Sequence, residues 1–378
     1  MSGLTMESML ERYGGTTLRY YLQAEARRLR PDDRVTICMR RRIPLRETEL
    51  WYLPEKRRGY ISGLMRCGSG WMCPVCAAAI AEQRRAELSA AIDENRDRFF
   101  TLLVTYTAQH NAGDRLTMVL QDMQTAYRRV RSGRGWQDIK SEWLLVHGVR
   151  ATEITYGDNG WHPHYHELLF LDNDLLKIAS ITEARDSLRN AIEARWIEAL
   201  SKQGRGALRG VALDISDKPG DVADYITKYG RQPATAGEAW GEAAEISKAN
   251  VKRAAPGGRT PHQLLWDSSK GDQQASGLWV EYAKATKGRS QLQWTRGAKD
   301  DLGVGNVSDM DAVKADEKDP AKVLLATIPA PMWRVIAREN RLAQILRLVE
   351  LGDFAGAYDV LDEIAKRARL SETEPFDW

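Results

Sequence analysis

Two hydrophobic periods alternate along this chain. A period near two, or an unbroken β-branched and aromatic run, marks strands, and recurrence every three to four residues marks helices. Residues 99–107 read Phe-Phe-Thr-Leu-Leu-Val-Thr-Tyr-Thr, a strand by composition. Residues 143–156 form a long strand, Gly157-Asp158-Asn159-Gly160 a hairpin turn, and residues 162–171 the returning strand. Further strands are predicted at 35–38, 60–65, 211–215 and 290–295. Helical spacing covers residues 1–30, 77–97, 116–131, 182–203, 221–229 and most of 260–287. Residues 332–349 and 354–370 predict a helical hairpin around Leu351-Gly352-Asp353. The order is that of an α+β protein with a central antiparallel sheet flanked by helices. Residues 231–259 read as loop and short helix, and the Asp/Gly/Lys-rich stretch 299–321 as a connector. No internal repeat is visible.

At 378 residues the chain exceeds the usual size of one domain. Hydrophobic content of 43% and charged content of 28% suit a soluble globular protein. No apolar run approaches the roughly 18 residues of a membrane span, and the first residues lack the basic start and apolar core of a signal peptide. The expectation is a cytoplasmic protein with no membrane partner. Net charge is only +3, but residues 1–86 carry 16 Lys/Arg against 9 Asp/Glu, and residues 301–378 carry 10 against 15. A basic front can hold nucleic-acid phosphates in a nearly neutral chain. The candidate contacts are Arg40, Arg41 and Arg42; Lys56, Arg57 and Arg58; and Arg128, Arg129 and Arg131. Each cluster can equally be a solvated face.

All four cysteines, Cys38, Cys67, Cys73 and Cys76, fall within 39 residues. A cytoplasmic setting disfavours a disulfide framework. Cys73-Pro74-Val75-Cys76 is a C-x-x-C knuckle that Cys38 and Cys67 can complete into a tetrahedral thiolate set for one structural Zn²⁺. A redox pair is the competing reading, although no thioredoxin-like strand and helix surround it.

Trp161-His162-Pro163-His164-Tyr165-His166 places three of the six histidines within five residues of a strand. Alternation puts His162, His164 and His166 on one face, a ready chelate for a divalent ion. The hairpin folds Glu153 of the outgoing strand against them, adding a carboxylate. Two imidazoles and one carboxylate leave open positions, which suits Mn²⁺ or Mg²⁺ acting on phosphate oxygens. The competing readings are polar positions of a half-buried strand and a surface charge. Further on, Tyr225 and Tyr229 share a helix face at i, i+4, with Lys228 beside them and Asp221 one turn earlier. A tyrosine of ordinary pKa, about 10, becomes a nucleophile only when its proton is removed or its phenolate is stabilised. Alone, this helix reads equally as buried tyrosines with a flanking ion pair.

Four elements in order carry a resemblance. They are the Cys-Pro-x-Cys module; Trp161-His-Pro-His-Tyr-His-Glu-Leu-Leu169; Asp221-x-x-x-Tyr225-x-x-Lys228; and Arg259-Thr260-Pro261 leading to Lys287-Gly288-Arg289 and Leu292-Gln293-Trp294-Thr295-Arg296-Gly297. Over about residues 38–300 the chain resembles the HUH endonucleases, and within them the rolling-circle replication initiator (Rep) proteins of small bacterial plasmids. The resemblance implies that His164 and His166 hold the catalytic ion with Glu153 as third ligand, leaving His162 as a further candidate. It implies that Tyr225 attacks the DNA backbone beside Lys228. Asp221 stands where such initiators often use a longer glutamate to activate water. Tyr229 departs from the pattern toward the paired tyrosines of phage-type initiators.

The activity implied is metal-dependent nicking of single-stranded or origin-hairpin DNA. It yields a 5′-phosphotyrosine adduct and a free 3′-OH, with later rejoining of the strand. No Walker-type phosphate loop occurs, so a helicase would be a host partner. The expected domains are a basic zinc module (1–97), the HUH nicking domain (98–298), a linker (299–328) and a C-terminal helical region (329–378). An HUH transposase or mobilisation relaxase shares the same chemistry. A non-catalytic zinc-dependent DNA-binding regulator leaves the spaced histidines and the tyrosine helix unexplained.

Overall fold

The computed structural model describes residues 5–210, 212–216 and 258–371. In chain order, α1 (Met6–Leu29), β1 (Thr48–Leu53), β2 (Arg58–Ile61), α2 (Pro74–Asp93), β3 (Phe99–Thr107), α3 (Leu116–Val130), α4 (Arg134–Glu142), β4 (Leu145–Gly157), β5 (Gly160–Asp172), α5 (Ile181–Ser201) and β6 (Leu213–Ser216) come first. After them come α6 (Pro261–Ser269), α7 (Gln273–Thr286), β7 (Leu292–Trp294), β8 (Val323–Ile328), α8 (Ala330–Glu339), α9 (Leu342–Glu350) and α10 (Phe354–Ser371). Two compact units result. Among the described residues, one takes 5–79 and 308–371, the other 80–216 and 258–307.

The first unit joins the two ends of the chain. α1 starts at a capping box in which Thr5 and Ser8 satisfy each other's backbone N–H, and it bends where Gly14 leaves helical geometry. It buries Leu18, Leu22 and Ala26. β1 is the middle strand of an antiparallel sheet ordered β2-β1-β8, with Leu50 opposite Ile61 on one side and Ala326 on the other. The stretch 299–328, expected to be a linker, therefore contributes a sheet strand. Its composition is polar, but β8 reads Val-Leu-Leu-Ala-Thr-Ile and finds its partner some 270 residues upstream. The strand expected at 35–38 is instead a 3₁₀ turn, Arg34–Thr36, running into Cys38. Hydrogen bonds Thr36 N→Asp33 O and Cys38 N→Val35 O close it, and the turn carries the Cys38 thiol inward.

The second unit is built on a five-stranded antiparallel sheet ordered β6-β3-β5-β4-β7. The β4–β5 hairpin turns where expected, at Gly157 opposite Gly160. Gly160 takes φ +87°, and a Cβ there would lie 2.9 Å from the Asn111 oxygen, so the turn requires glycine. One sheet face, with Leu102, Val104, Tyr106, Tyr165, Leu169 and Leu171, packs against α3 and α5. The other face is divided. Val149, Ala151, Leu168 and Phe170 pack against Leu88 and Ala91 of α2 and against Ala298 and Leu302. Beyond them the same face becomes polar and carries the histidines. Because β5 is central and covered on both sides, its second half reads as a continuous apolar run. Pro163 is tolerated there because β3 pairing ends at Thr107, opposite His164.

Candidate functional site

Strand register assembles the polar half of this face. Glu153 lies directly opposite His164, Ala151 opposite His166, and Thr155 opposite His162. On the other side of β5, Thr105 lies opposite His166 and Thr107 opposite His164. Residues opposite one another share a face, so three imidazoles, one carboxylate and two threonine hydroxyls meet. His166 is buried, and its Nε2 lies 2.8 Å from Glu153 Oε2. Its Nδ1 lies 3.1 Å from Thr105 Oγ1, and His164 Nδ1 lies 3.3 Å from Thr107 Oγ1. The His162 and His164 ring centres are 4.0 Å apart, and those of His164 and His166 are 5.9 Å apart.

Burial pushes the His164 pKa down to about 3, with His162 and His166 adding to the fall. Burial and then His110 lower that of His162. Unprotonated imidazoles beside a carboxylate are the donor set a divalent ion accepts at neutral pH. His166 Nε2 donates directly to the Glu153 carboxylate. Among the described residues these side chains do not form a closed ligand group; only the four cysteines do.

Threonines 105 and 107 escaped the sequence reading. Their one signal is parity: they alternate with buried residues on β3, and only the register shows that they face the histidines. His110 was missed too. Its ring centre lies 4.6 Å from that of His162, and its Nδ1 donates to the Asn159 carbonyl at 2.9 Å. Asp221, Tyr225, Lys228 and Tyr229 lie outside the described residues.

In the first unit, Cys38, Cys67, Cys73 and Cys76 are buried with their sulfurs all within 4.8 Å of one another. Cys38 lies 3.7 Å from Cys73 and 3.5 Å from Cys76, and Cys67 lies 3.7 Å from Cys76. Tetrahedral Zn–S bonds of about 2.3 Å imply S···S separations of about 3.8 Å, so the set has metal-binding dimensions. Pro74 opens α2 between Cys73 and Cys76, where a missing N–H costs nothing. Gln23 Nε2 donates to Cys73 Sγ at 3.1 Å, and Arg27 donates to the Cys38 carbonyl at 2.7 Å.

The basic clusters separate into exposed and engaged members. Arg41, Arg57, Arg128 and Arg129 are exposed, and Arg40, also exposed, donates to the Ala337 carbonyl at 3.0 Å. Arg42 donates to Thr48 Oγ1 at 2.9 Å. Lys56 and Arg58 pair with Asp316 at 2.9 and 2.6 Å. Arg131 is a correction to the phosphate contacts expected from sequence. Its guanidinium pairs with fully buried Glu167 and lies 4.0 Å over the Trp136 ring. Tyr106 and Tyr127 hydroxyls donate to the same carboxylate at 2.9 and 2.7 Å. A buried carboxylate needs such partners, so this arginine stays inside.

Among the described residues no helix is long and apolar enough to cross a membrane. A curated protein of Streptomyces lividans, "Protein rep", is 29% identical over 356 aligned residues, covering 77% of this chain and 76% of that protein. A second relative, from Streptomyces cyanogenus and named "Neomycin resistance protein", is 30% identical over 135 residues, covering 29% of this chain and 31% of its own length. No solved structure matches the chain at a significant level. The sequence profile described as "Replication protein" (Rep_1) matches residues 65–184, a span that holds β3, the β4–β5 hairpin, Glu153 and all three strand histidines. Over residues 65–184 the chain is similar to this family of replication proteins.

Proposed function

We propose that the protein is a rolling-circle replication initiator of the HUH endonuclease type, and that it nicks DNA through a tyrosine. The observation that carries this is the polar half of the β3-β5-β4 face. Within a replication protein, His164 and His166 stand there with Glu153 across the hairpin and with their Nδ1 atoms turned to threonine hydroxyls. His164, His166 and Glu153 would hold Mn²⁺ or Mg²⁺, with His162 at the margin. When bound, such an ion polarises a phosphate and takes up charge developing on the leaving oxygen.

The chain's own groups do the rest. Tyr225 follows Ile215 by ten residues, and Ile215 pairs with Val104 in the same sheet as the histidines. Its phenolate oxygen attacks phosphorus in line and the P–O3′ bond breaks. The departing 3′ oxygen takes a proton to become a 3′-OH, leaving a 5′-phosphotyrosine ester. Lys228, three residues after Tyr225 in the sequence, supplies positive charge for the phenolate. Asp221 accepts a proton from water or from an incoming 3′-OH, and Tyr229, four residues after Tyr225 in the sequence, is the candidate for a second transfer. The ester conserves the energy of the broken bond, so rejoining needs no nucleotide triphosphate. Arg40, Arg41, Arg57, Arg128 and Arg129 are suited to backbone phosphates, and the four cysteines to one structural Zn²⁺. Origin DNA, single-stranded or as a hairpin, is the substrate, and duplex unwinding falls to a separate helicase.

Labelled single-stranded origin DNA with the protein and Mn²⁺ is expected to give a denaturant-resistant protein–DNA band that Tyr225→Phe loses. A band unchanged in Tyr225→Phe overturns the nucleophile. No band from wild type on any origin fragment overturns the chemistry.

A further inference from the structure

We infer that Gln23 and Arg27 of α1 are positioning residues for the ion of the four-cysteine cluster: the Gln23 amide donates to the Cys73 thiolate, and Arg27 orients that amide. The inference rests on the structural zinc proposed above. Gln23 is fully buried, and its Nε2 donates to Cys73 Sγ at 3.1 Å. Arg27 follows one helical turn later on the same face of α1. Its Nη2 donates to Gln23 Oε1 and, at 2.7 Å, to the Cys38 carbonyl, and its Nε donates to the Val35 carbonyl at 3.4 Å.

The direction of these bonds is what points to a metal. A glutamine amide has one accepting end and one donating end, whereas arginine only donates. Arg27 therefore takes the amide oxygen and leaves the NH₂ end for the sulfur. That polarity suits a thiolate, the form in which cysteine ligates zinc. Charge points the same way. Four thiolates around one Zn²⁺ leave a net negative charge in a buried site, which is costly unless dipoles and cations answer it. The Gln23 amide supplies a dipole, and Arg27 a cation whose charge acts on Cys73 and Cys38. Buried Arg66, next to Cys67 in the chain, supplies a second that acts on Cys76 and Cys38. Finally, one turn of α1 reaches two of the four ligands, Cys73 through its sulfur and Cys38 through its backbone. Loss of such partners behind a metal ligand typically costs about 10- to 100-fold in metal affinity.

Gln23→Met keeps the length of the side chain and removes the donor. Gln23→Glu keeps the shape and still accepts from Arg27, but it turns an oxygen toward the sulfur. Arg27→Met removes the charge and the amide's anchor. Competition of the full-length protein with a chelating dye is expected to show zinc affinity lowered about 10-fold or more in each. With Co²⁺ in place of zinc, losing an N–H···S bond raises the energy of the sulfur lone pair. The sulfur-to-cobalt charge-transfer band should then move to longer wavelength in both Gln23 variants. A packing role predicts instead that Gln23→Glu, isosteric and paired with Arg27, is harmless. Because it is isosteric, that variant carries the test if Gln23→Met does not fold. Gln23→Glu within twofold of wild type in zinc affinity, or an affinity loss with no band shift, overturns this inference alone. A wild type that binds no zinc, or binds it as tightly after Cys73→Ser, overturns the zinc cluster and this inference with it.

Discussion

At the scale of single residues, burial keeps the His164 ring unprotonated down to about pH 3, so at neutral pH it meets an ion as a lone-pair donor. His166 has a partner on each ring nitrogen, Thr105 on one and Glu153 on the other. Removing either imidazole should remove ion binding without touching the exposed arginines. We expect His164→Ala and His166→Ala to lower Mn²⁺-dependent nicking by roughly 10³-fold, the several kcal/mol of charge stabilisation an ion supplies. Binding of the same DNA in a mobility-shift assay should stay within a few-fold, since backbone contacts supply most affinity. Full cleavage by either variant would remove the histidines from the chemistry. The histidines and Glu153 were legible because alternation and one tight turn determine their faces. Their threonine partners were not, because Thr on a strand is ordinary until the register of a non-adjacent strand is known.

At the scale of elements, the four-cysteine cluster joins a turn, a loop and the first turn of α2. A structural zinc there contributes folding energy directly. Freshly purified protein should contain one zinc per chain by elemental analysis. Cys73→Ser should lower the thermal midpoint by about 4–8 °C, the equivalent of roughly 2 kcal/mol in a domain of this size. It should do so before altering Mn²⁺-dependent cleavage of a short single strand, because the sulfurs lie in the first unit and the histidine face in the second. Protein that folds fully and carries no zinc would refute the assignment. The C-x-x-C spacing announced this cluster. The turn that delivers Cys38 was mistaken for a strand because Val, Thr and Ile suit both, and only local hydrogen bonds separate them.

At the scale of the whole molecule, the uneven charge seen in the sequence partly closes on itself. The acidic C-terminal stretch supplies Asp316 to Lys56 and Arg58, and Glu317 accepts from the Tyr60 hydroxyl at 2.8 Å. Burial pushes the Asp316 carboxyl up, but the charge of Arg58 and the bonds from Lys56 outweigh it and hold the pKa below its usual value. A folded pKa below the unfolded one adds stability that is complete above the unfolded value, near 4, and is lost as pH falls through the folded value. Asp316→Asn should therefore cost roughly 2 kcal/mol at pH 7. The two proteins should converge in midpoint only once pH has fallen through the lowered folded value, where the native carboxyl is also neutral. A gap that persists unchanged in acid would show that the pairing does not stabilise this unit.

By itself the sequence determined the strand and helix periods, the hairpin that sets Glu153 against the histidines, and the grouping of the cysteines. Each is a local consequence of side-chain alternation, turn chemistry or short spacing. Tertiary structure alone decided that β8 leaves an apparently polar connector to complete a sheet begun near residue 48. It likewise decided that Arg131 turns inward to Glu167 and that β3 lays its threonines behind the histidines. These depend on pairings between distant segments, whose free energy comes from burial shared by both partners and is written in neither one alone.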